Sequence, residues 1–471
     1  MIAYIDNRVR ISYLLGIIIL FCYSIVYFFN PKVSSDSIHV LGVWAFVQFC
    51  YSIYSWHKIH NVWFDAYLIF TIALYAFMLG QPILEGLDLS VSYRRLWNGS
   101  FNITSNGYYT ATYYSMVSTL FFHFGSIIGS IKSNIKISQQ TSLSFDKMTK
   151  VAWFLVIVSL PFYIYLLILQ VAVIKTIGYA GLYDWEAYTP RSIMLISDIF
   201  TPSMLAVFCS SLLKKKHQYL TSIMVIFLIF LPPFYLGGRS NAMICMAVFL
   251  LLYSCINRLN IKHYLLIVLS GAIMLFAMNI VGKIRSGSDR SLQAVQGVID
   301  DKNENPICQT IEEMGWSMFP TIKNMEAVPK HYDYSYGTSY FWAIVSIIPN
   351  IGFWETHPGM ANDPGTKLGR YVNLGYGMGY SIVAGTYNEF GYLGVVLMFI
   401  YGLIFCRIFS FISPNTAVYK PVEFVLALMF LWFSIKFIRN SYDSMVRSIA
   451  FYIVPIYFLS KKYGKYKFHL K

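Results

Sequence analysis

Apolar stretches of membrane-spanning length recur from one end of this 471-residue chain to the other, and they limit its possible folds more than any other feature. A run of about 18 or more apolar residues has the length of a transmembrane helix. Hydrophobic residues make up 57% of the chain and charged residues 12%, whereas soluble domains carry about 25% charged residues. We therefore predict one all-α, polytopic membrane domain over residues 1–471.

The apolar pattern predicts about twelve transmembrane helices, and an even number places both termini on one side. Arg8 and Arg10, the lysines at 214–216 and those after Ser460 put that side in the cytoplasm. We expect Pro161 to break the fifth span. The predicted spans are 11–29, 38–56, 62–80, 110–130, 151–170, 191–213, 219–236, 242–256, 264–282, 391–411, 421–437 and 445–460.

One long polar segment, residues 283–387, interrupts this pattern between the ninth and tenth spans. The predicted topology makes it a large extracytoplasmic loop. Long loops are translocated largely regardless of their charge, so the basic residues of this segment do not oppose that placement. We expect the loop to cover a site whose floor is made by the helix bundle.

The net charge of +14 has a simple explanation in basic clusters beside the spans, on the side facing anionic lipids. Membrane lipids are therefore expected partners, and nucleic acid is not. The seven cysteines are scattered without a C-x-x-C pair. They indicate neither a disulfide framework nor a thiolate zinc site.

A short outer turn, Gly237-Gly238-Arg239-Ser240-Asn241, carries an arginine against the usual charge preference of membrane proteins. The two glycines allow a ligand to approach the backbone. Ser240 or Asn241 can cap the next helix, and an arginine beside a helix N-terminus favours anion binding. The alternative is a tight turn whose Arg239 side chain extends to lipid headgroups.

A second group, Arg439, Asp443 and Arg447, has a spacing of four residues that stacks the side chains on one helical face. One interpretation is a cationic stripe in which Asp443 orients both guanidinium groups toward a phosphate. The other is an internal salt-bridge triad that joins two spans.

The long polar segment holds further candidates. Its arginines Arg285, Arg290 and Arg370 suit bidentate phosphate contacts, or are ordinary solvated charges. Tyr334, Tyr336 and Tyr340 offer aromatic faces on which a sugar can stack, or form an interfacial aromatic belt. His331 and Glu389, together with Asp443, are candidate acids and bases for glycosyl transfer. No spacing singles one of them out, and no metal-ligating motif is present.

Several short motifs resemble one family. They are Leu236-Gly237-Gly238-Arg239-Ser240, Tyr336-Gly337-Thr338-Ser339-Tyr340 followed by Ile348-Pro349-Asn350, and Tyr387-Asn388-Glu389-Phe390-Gly391-Tyr392-Leu393-Gly394. From Leu236 onward the chain resembles the bacterial O-antigen polymerases, the Wzy-type oligosaccharide repeat unit polymerases. The first half matches only in hydropathy and number of spans.

The resemblance implies a multi-pass protein of the inner membrane, similar in fold to the GT-C-like integral membrane glycosyltransferases, with a periplasmic active site. Its substrates would be donor and acceptor glycans linked to undecaprenyl diphosphate, polymerised into O-antigen or a related surface polysaccharide without metal, nucleotide or other cofactor. By this resemblance, Arg239, Arg285, Arg290 and Arg439 lie near the carrier diphosphate. A chain-length regulator and a flippase are the implied protein partners.

Two other functions fit a chain of this kind. An O-antigen ligase uses the same donor but transfers the glycan to lipid A core. A flippase for lipid-linked repeat units also has about twelve spans and internal cations. A flippase more often has two similar halves with short loops on both sides, and this chain has one long polar segment and no internal repeat.

Overall fold

A computed structural model describes residues 7–29, 33–89, 103–131, 144–179, 181–182, 189–237, 240–257, 259–284, 296, 305–350, 354–373 and 379–461. The regular secondary structure of these residues is helical, and no β-strand occurs among them. The prediction of an all-α protein is confirmed.

The first half of the chain forms mainly long helices. A π-helical segment, Val225–Phe230, lies between the helices Gln218–Met224 and Leu231–Leu236. In chain order the helices are α1 Asn7–Phe29, α2 Ser35–His60, α3 Ala66–Gly86, α4 Ser105–Ile131, α5 Phe145–Ile177, α6 Arg191–Asp198, α7 Phe200–Lys214, α8 Gln218–Met224, α9 Leu231–Leu236, α10 Ser240–Ile256 and α11 Ile261–Ile284.

The second half begins with short helices from the polar segment and returns to apolar ones. A second π-helical segment, Ile449–Ile453, lies between the last two helices. These helices are α12 Pro306–Gly315, α13 Phe319–Ala327, α14 Thr338–Val345, α15 Pro358–Ala361, α16 Pro364–Tyr371, α17 Ile382–Phe390, α18 Val395–Phe409, α19 Pro414–Tyr419, α20 Pro421–Phe437, α21 Tyr442–Ser448 and α22 Val454–Ser460.

Eight helical stretches of the described chain are long and apolar enough to cross a membrane, which supports a polytopic membrane protein. Shorter apolar helices cover Gln218–Pro233 and Asn241–Ile256. The number of twelve spans stays a prediction. The eight stretches are Asn7–Phe29, Ser35–His60, Ala66–Gly86, Ser105–Ile131, Phe145–Ile177, Ser192–Lys214, Ile261–Ile284 and Ile382–Phe409.

The expected break at Pro161 is wrong, because α5 runs without interruption from Phe145 to Ile177. Proline removes one backbone hydrogen bond, which in water is often enough to end a helix. In the hydrocarbon of a membrane, unwinding the chain would expose many more backbone groups to a solvent that cannot bond them. Proline is therefore tolerated inside such helices.

Helices α4 and α18 pack closely on each other over much of their length. Gly125 and Gly129, four residues apart on α4, face the backbone of Phe399 and Leu403 on α18, and Gly402 of α18 faces the backbone of α4. A Cβ atom on Gly125 would overlap the carbonyl oxygen of Phe399, and one on Gly402 would overlap that of Phe122. Small residues at this spacing let two membrane helices approach to backbone contact. This contact joins residues 105–131 of the first half of the chain to residues 395–409 of the second half.

The first π-helical segment, Val225–Phe230, is explained by the sequence Leu231-Pro232-Pro233 that follows it. Pro232 has no N–H with which to bond the carbonyl oxygen of Leu228, four residues earlier. The Tyr163 hydroxyl of α5 donates to that oxygen instead. A side chain of the neighbouring helix thus provides the hydrogen bond that the irregular backbone lacks.

Replacing Tyr163 with phenylalanine should destabilise the protein by about 1–3 kcal/mol, because the carbonyl of the half-buried Leu228 loses its partner. Tyr165→Phe is the matched control, since Tyr165 lies on the same helix with its side chain half exposed. Thermal unfolding of both variants in detergent measures the difference. Equal unfolding temperatures for the two variants would show that the Tyr163 hydroxyl does not support the π segment.

The polar segment 283–387 forms helices that pack on the bundle. Helix α12 lies against α3, where the Gln81 side chain donates to the carbonyl oxygen of Glu312 at 2.9 Å. Gly80 allows close contact with Ile311. Later, α13 packs against both α16 and α17. This part of the chain is therefore a helical layer on the membrane domain.

Candidate functional site

A cavity of about 570 Å³ lies among helices α5, α6, α7, α9, α20 and α21. Its walls carry many side chains able to form hydrogen bonds, in contrast to the apolar helices that make it. Asn241 of α10, the last residue of the predicted glycine turn, also lines it. The polar side chains that line it are Tyr163, Gln170, Tyr179, Ser197, Asp198, Thr201, Asn241, Lys436, Asn440, Ser444, Ser448 and Tyr452.

Lys436, in the last turn of α20, brings a positive charge to this cavity. Its Nζ atom lies 5.3 Å from the centre of the Trp432 ring, which lines the same wall. Asp198, at the end of α6, lines the cavity as well. An ionised lysine inside a helix bundle requires an anionic partner, either a protein carboxylate or a ligand. The cavity therefore combines a cation and a carboxylate with amide and hydroxyl groups.

The floor of the cavity comes from one face of α21 and the π segment after it. Ser444, Ser448 and Tyr452 follow one another at intervals of four residues and all line it. Side chains at this spacing share a helix face. Asn440 extends the same line into the turn before the helix.

The predicted stripe of Arg439, Asp443 and Arg447 lies on the neighbouring face. The Arg439 guanidinium carbon is 5.2 Å from the centre of the Phe77 ring on α3. Asp443 accepts a hydrogen bond from the Ser441 hydroxyl. Within the described residues, no ion pair joins any two members of the stripe. Arg447 is half-buried and does not line the cavity.

Asp363 is a carboxylate beside Asp443 that sequence reasoning missed. It caps α16, where its Oδ2 atom accepts from the Thr366 backbone N–H at 2.8 Å and from the Thr366 hydroxyl at 3.2 Å. Burial and the neighbouring Asp443 raise the pKa of Asp363. Its Oδ1 atom is buried and has no hydrogen-bond partner among the described residues. The Asp-Pro pair at 363–364 is a helix-start signal, but only the fold shows which carboxylate lies opposite.

Glu389 is buried and anchors the turn of the aromatic run. Its Oε2 atom accepts from the Gly337 backbone N–H at 2.6 Å, and its carbonyl oxygen accepts from Tyr336 N–H at 3.1 Å. The neighbouring Asn388 side chain donates to the Ser335 hydroxyl at 2.7 Å. Gly337 has a φ of +90°, which a glycine adopts without strain. Glu389 therefore fixes a loop conformation.

Replacing Glu389 with alanine should release this turn and lower the unfolding free energy by about 1–3 kcal/mol, because the Gly337 N–H loses its acceptor. Glu389→Gln keeps an oxygen acceptor and should retain most of the stability. Thermal unfolding, with limited proteolysis of the 334–339 loop, tests both variants. An alanine variant as stable and as resistant to protease as the glutamine variant would remove this anchoring role.

The three tyrosines of the predicted sugar platform differ in exposure. Tyr336 is 69% exposed. Tyr334 is half-buried, with its ring centre 6.1 Å from that of Tyr387. The Tyr340 hydroxyl is 2.6 Å from the Tyr401 hydroxyl, and its ring centre is 4.4 Å from that of Tyr442. Tyr336 is thus the member of the three best placed to meet a sugar.

The other predicted site residues lie apart from the cavity or outside the described part of the chain. His331 is exposed, with its ring centre 5.0 Å from that of Tyr371. Arg370 is exposed at the end of α16. Arg239, Arg285 and Arg290 lie outside the described residues. In the sequence, Arg239 is flanked by Leu236 and Asn241, and both of these line the cavity. Across the described residues, no group of three or more His, Cys, Asp or Glu side chains is arranged to hold a metal ion.

The family model for the O-antigen polysaccharide polymerase Wzy matches residues 11–467. The chain belongs to this family. The resemblance seen in the second half therefore extends to nearly the whole chain, and it supports polymerisation of repeat units over the ligase and flippase alternatives. This Wzy protein is a multi-pass protein of the inner membrane that acts on lipid-linked oligosaccharides. No curated protein and no solved structure was found to be similar to it.

Proposed function

We propose that this Wzy protein joins undecaprenyl-diphosphate-linked repeat units at the periplasmic face of the inner membrane, and that the cavity beside Lys436 binds the carrier diphosphate. The observation that carries the proposal is the composition of that cavity. Apolar helices enclose a lysine and an aspartate together with amide and hydroxyl groups, and the lining includes Leu236 and Asn241, which flank Arg239 in the sequence.

Topology adds support. The predicted topology places two short turns on the periplasmic side, one between α9 and α10 and one between α20 and α21. Residues beside both turns, Leu236 and Asn241 from the first and Lys436 and Asn440 from the second, line the same cavity. A diphosphate headgroup at the membrane surface would meet both turns together.

The proposed reaction needs an acceptor proton removed and a diphosphate stabilised. The acceptor hydroxyl oxygen bonds to the anomeric carbon of the donor glycan, the bond from that carbon to the diphosphate oxygen breaks, and undecaprenyl diphosphate leaves with the bonding electron pair. Lys436 and Arg239 would stabilise the negative charge that develops on the leaving group. The carboxylates Asp443 and Asp363 are the proposed acceptors of the hydroxyl proton.

The remaining predicted residues have supporting roles in this proposal. Tyr336, with Tyr334, would stack on a sugar of the acceptor. Because the carrier diphosphate already activates the donor, the proposed reaction uses neither metal nor nucleotide. Further arginines that would attract the diphosphate are Arg285, Arg290, Arg370, Arg439 and Arg447.

Two protein partners follow from the reaction. A flippase must deliver the lipid-linked repeat units to the periplasmic face, and a chain-length regulator would determine when elongation stops. The GT-C-like architecture of integral membrane glycosyltransferases is the proposed fold relationship.

The proposal is tested in a strain that lacks its own copy of this gene. Surface lipopolysaccharide should carry a single repeat, and the wild-type chain should restore a ladder of lengths. Arg239→Ala should leave the single repeat unextended. Loss of all O-antigen from the core would indicate a ligase, and repeat units retained at the cytoplasmic face would indicate a flippase.

A further inference from the structure

Helix α14, with the turn that ends it, carries its small side chains inside and its large apolar side chains outside. The buried face consists of Ser339, Ala343 and Ser346. The outer face consists of Phe341, Ile344 and Ile348, which are 58%, 59% and 51% exposed. A helix on a water-facing surface has the opposite arrangement, because its apolar stripe faces the core. The arrangement in α14 is typical of a helix in apolar surroundings.

The sequence around α14 is uncharged, although it belongs to the long polar segment. No charged residue lies between Asp333 and Glu355, whereas residues 283–333 carry acidic and basic side chains at short intervals. An apolar segment of about 10–14 residues is too short to span a membrane, and it commonly lies in a protein core or enters the membrane without crossing it. The exposed apolar face of α14 rules out a position in the core.

Helix α14 packs beside the exposed apolar side of a membrane helix. It lies against α21, where the ring centres of Tyr340 and Tyr442 are 4.4 Å apart. The Tyr340 hydroxyl is also 2.6 Å from that of Tyr401 on α18. Tyr401 adjoins Ile400 and Ile404, which are both exposed on a stretch long and apolar enough to cross a membrane. The outer face of α14 therefore extends the apolar outer surface of α18, and such a surface marks a contact with lipid or protein.

Both ends of α14 are closed by groups of the protein, as a helix end in hydrocarbon requires. Before the helix, the Gly337 N–H donates to the Glu389 carboxylate. After it, the Nε2–H of His357 donates to the carbonyl oxygen of Ile348 at 2.8 Å. The Nδ1 atom of the same ring accepts from the Gly359 N–H at 3.0 Å, and His357 is buried. The backbone at these ends therefore does not depend on water.

We propose that α14 is a re-entrant helix whose outer face contacts lipid acyl chains. It leaves the polar layer at Tyr336, enters the bilayer beside α18 and α21, and turns back after Ile348. The partner is lipid because the outer face is continuous with the apolar surface of a membrane-spanning stretch. The exposed Tyr336, at the head of the helix, then lies at the membrane surface. The inference requires a membrane protein but does not rest on the proposed reaction.

Site-specific photo-crosslinking tests the contact directly. p-Benzoylphenylalanine replaces Phe341 or Ile344 in the full-length chain, with Ile400 as the membrane-facing control and the exposed His331 of the polar layer as the other control. After irradiation in phospholipid nanodiscs, mass spectrometry should find lipid adducts at positions 341, 344 and 400 but not at 331. Adducts at 400 without adducts at 341 and 344, or equal lipid labelling at 331, would overturn the proposal. In native membranes, crosslinks from 341 and 344 to a second copy or to another protein would also overturn it.

A charge substitution provides a second readout. Ile344→Asp would place a carboxylate in hydrocarbon, so it should lower the unfolding temperature in nanodiscs by about 5 °C or more, whereas Ile344→Val should leave it unchanged. Equal unfolding temperatures for the two variants would show that position 344 faces water, and would overturn the proposal. Neither experiment measures polymerisation, so this inference and the proposed function can fail independently.

Discussion

Replacing Lys436 with methionine is expected to slow polymerisation by about 100-fold or more, the usual effect of removing one charge-stabilising group from a transition state. Methionine keeps the length and the apolar stem of lysine but removes the positive charge from the cavity. The leaving diphosphate then develops its charge without that partner. The initial rate of repeat-unit addition by purified protein in nanodiscs measures the effect.

The same helix provides the control. Lys420 lies at the opposite end of α20, away from the cavity, so Lys420→Met should leave the rate within about twofold of wild type. Lys436→Arg should recover part of the rate, because it restores the charge with a different shape. Full activity of Lys436→Met, with the protein still monodisperse, would remove Lys436 from the site.

Replacing Gly402 with leucine is expected to prevent the protein from folding stably. Position 402 faces the backbone of α4, where even a Cβ atom would overlap the Phe122 carbonyl oxygen. A backbone group cannot rotate away as a side chain can, so α18 must separate from α4 along their whole contact. Overpacking of this kind should cost about 3 kcal/mol or more. Size-exclusion profiles and thermal unfolding in detergent measure the loss.

Gly271→Leu serves as the matched control for that variant. Gly271 is also a glycine in a membrane helix, but it faces open space. This substitution should leave the yield and the unfolding temperature unchanged. A Gly402→Leu protein that is as stable as Gly271→Leu would show that close packing of α4 on α18 does not hold the bundle together.

The helices themselves could be predicted from the apolar pattern, because a chain in hydrocarbon must satisfy its backbone hydrogen bonds internally. Long apolar runs such as those of α1, α3 and α11 leave no alternative to helix. The same reasoning explains the error at Pro161. In water a proline often ends a helix, whereas α5 continues through Pro161.

The site was harder to predict, because the sequence shows which residues are charged but not where helix packing places them. Arg439, Asp443 and Arg447 carry the charge on α21 and its flanking turn, yet the cavity is lined by the uncharged neighbouring face of Ser444 and Ser448. A spacing of four residues places side chains on one face of a helix, but it does not show what that face contacts.

Long-range placement was also beyond the sequence. Asp198 lies inside a predicted span, and its position in the same cavity as Lys436 depends on the packing of α6 near α20. Glu389 shows the converse case. Its type and motif predict a candidate acid or base, and only the fold shows that its carboxylate also holds the Gly337 turn.

The most direct test of the central claim uses the purified chain alone, in vesicles that contain undecaprenyl-diphosphate-linked repeat units and a metal chelator, without nucleotide. Mass spectrometry of the lipid products follows chain length and carrier release together. We predict lipid-linked chains of two and more repeats, with one undecaprenyl diphosphate released for each new linkage, and a large loss of both in Lys436→Met. Repeat units that stay single, or longer chains formed at an unchanged rate by Lys436→Met, would contradict the account.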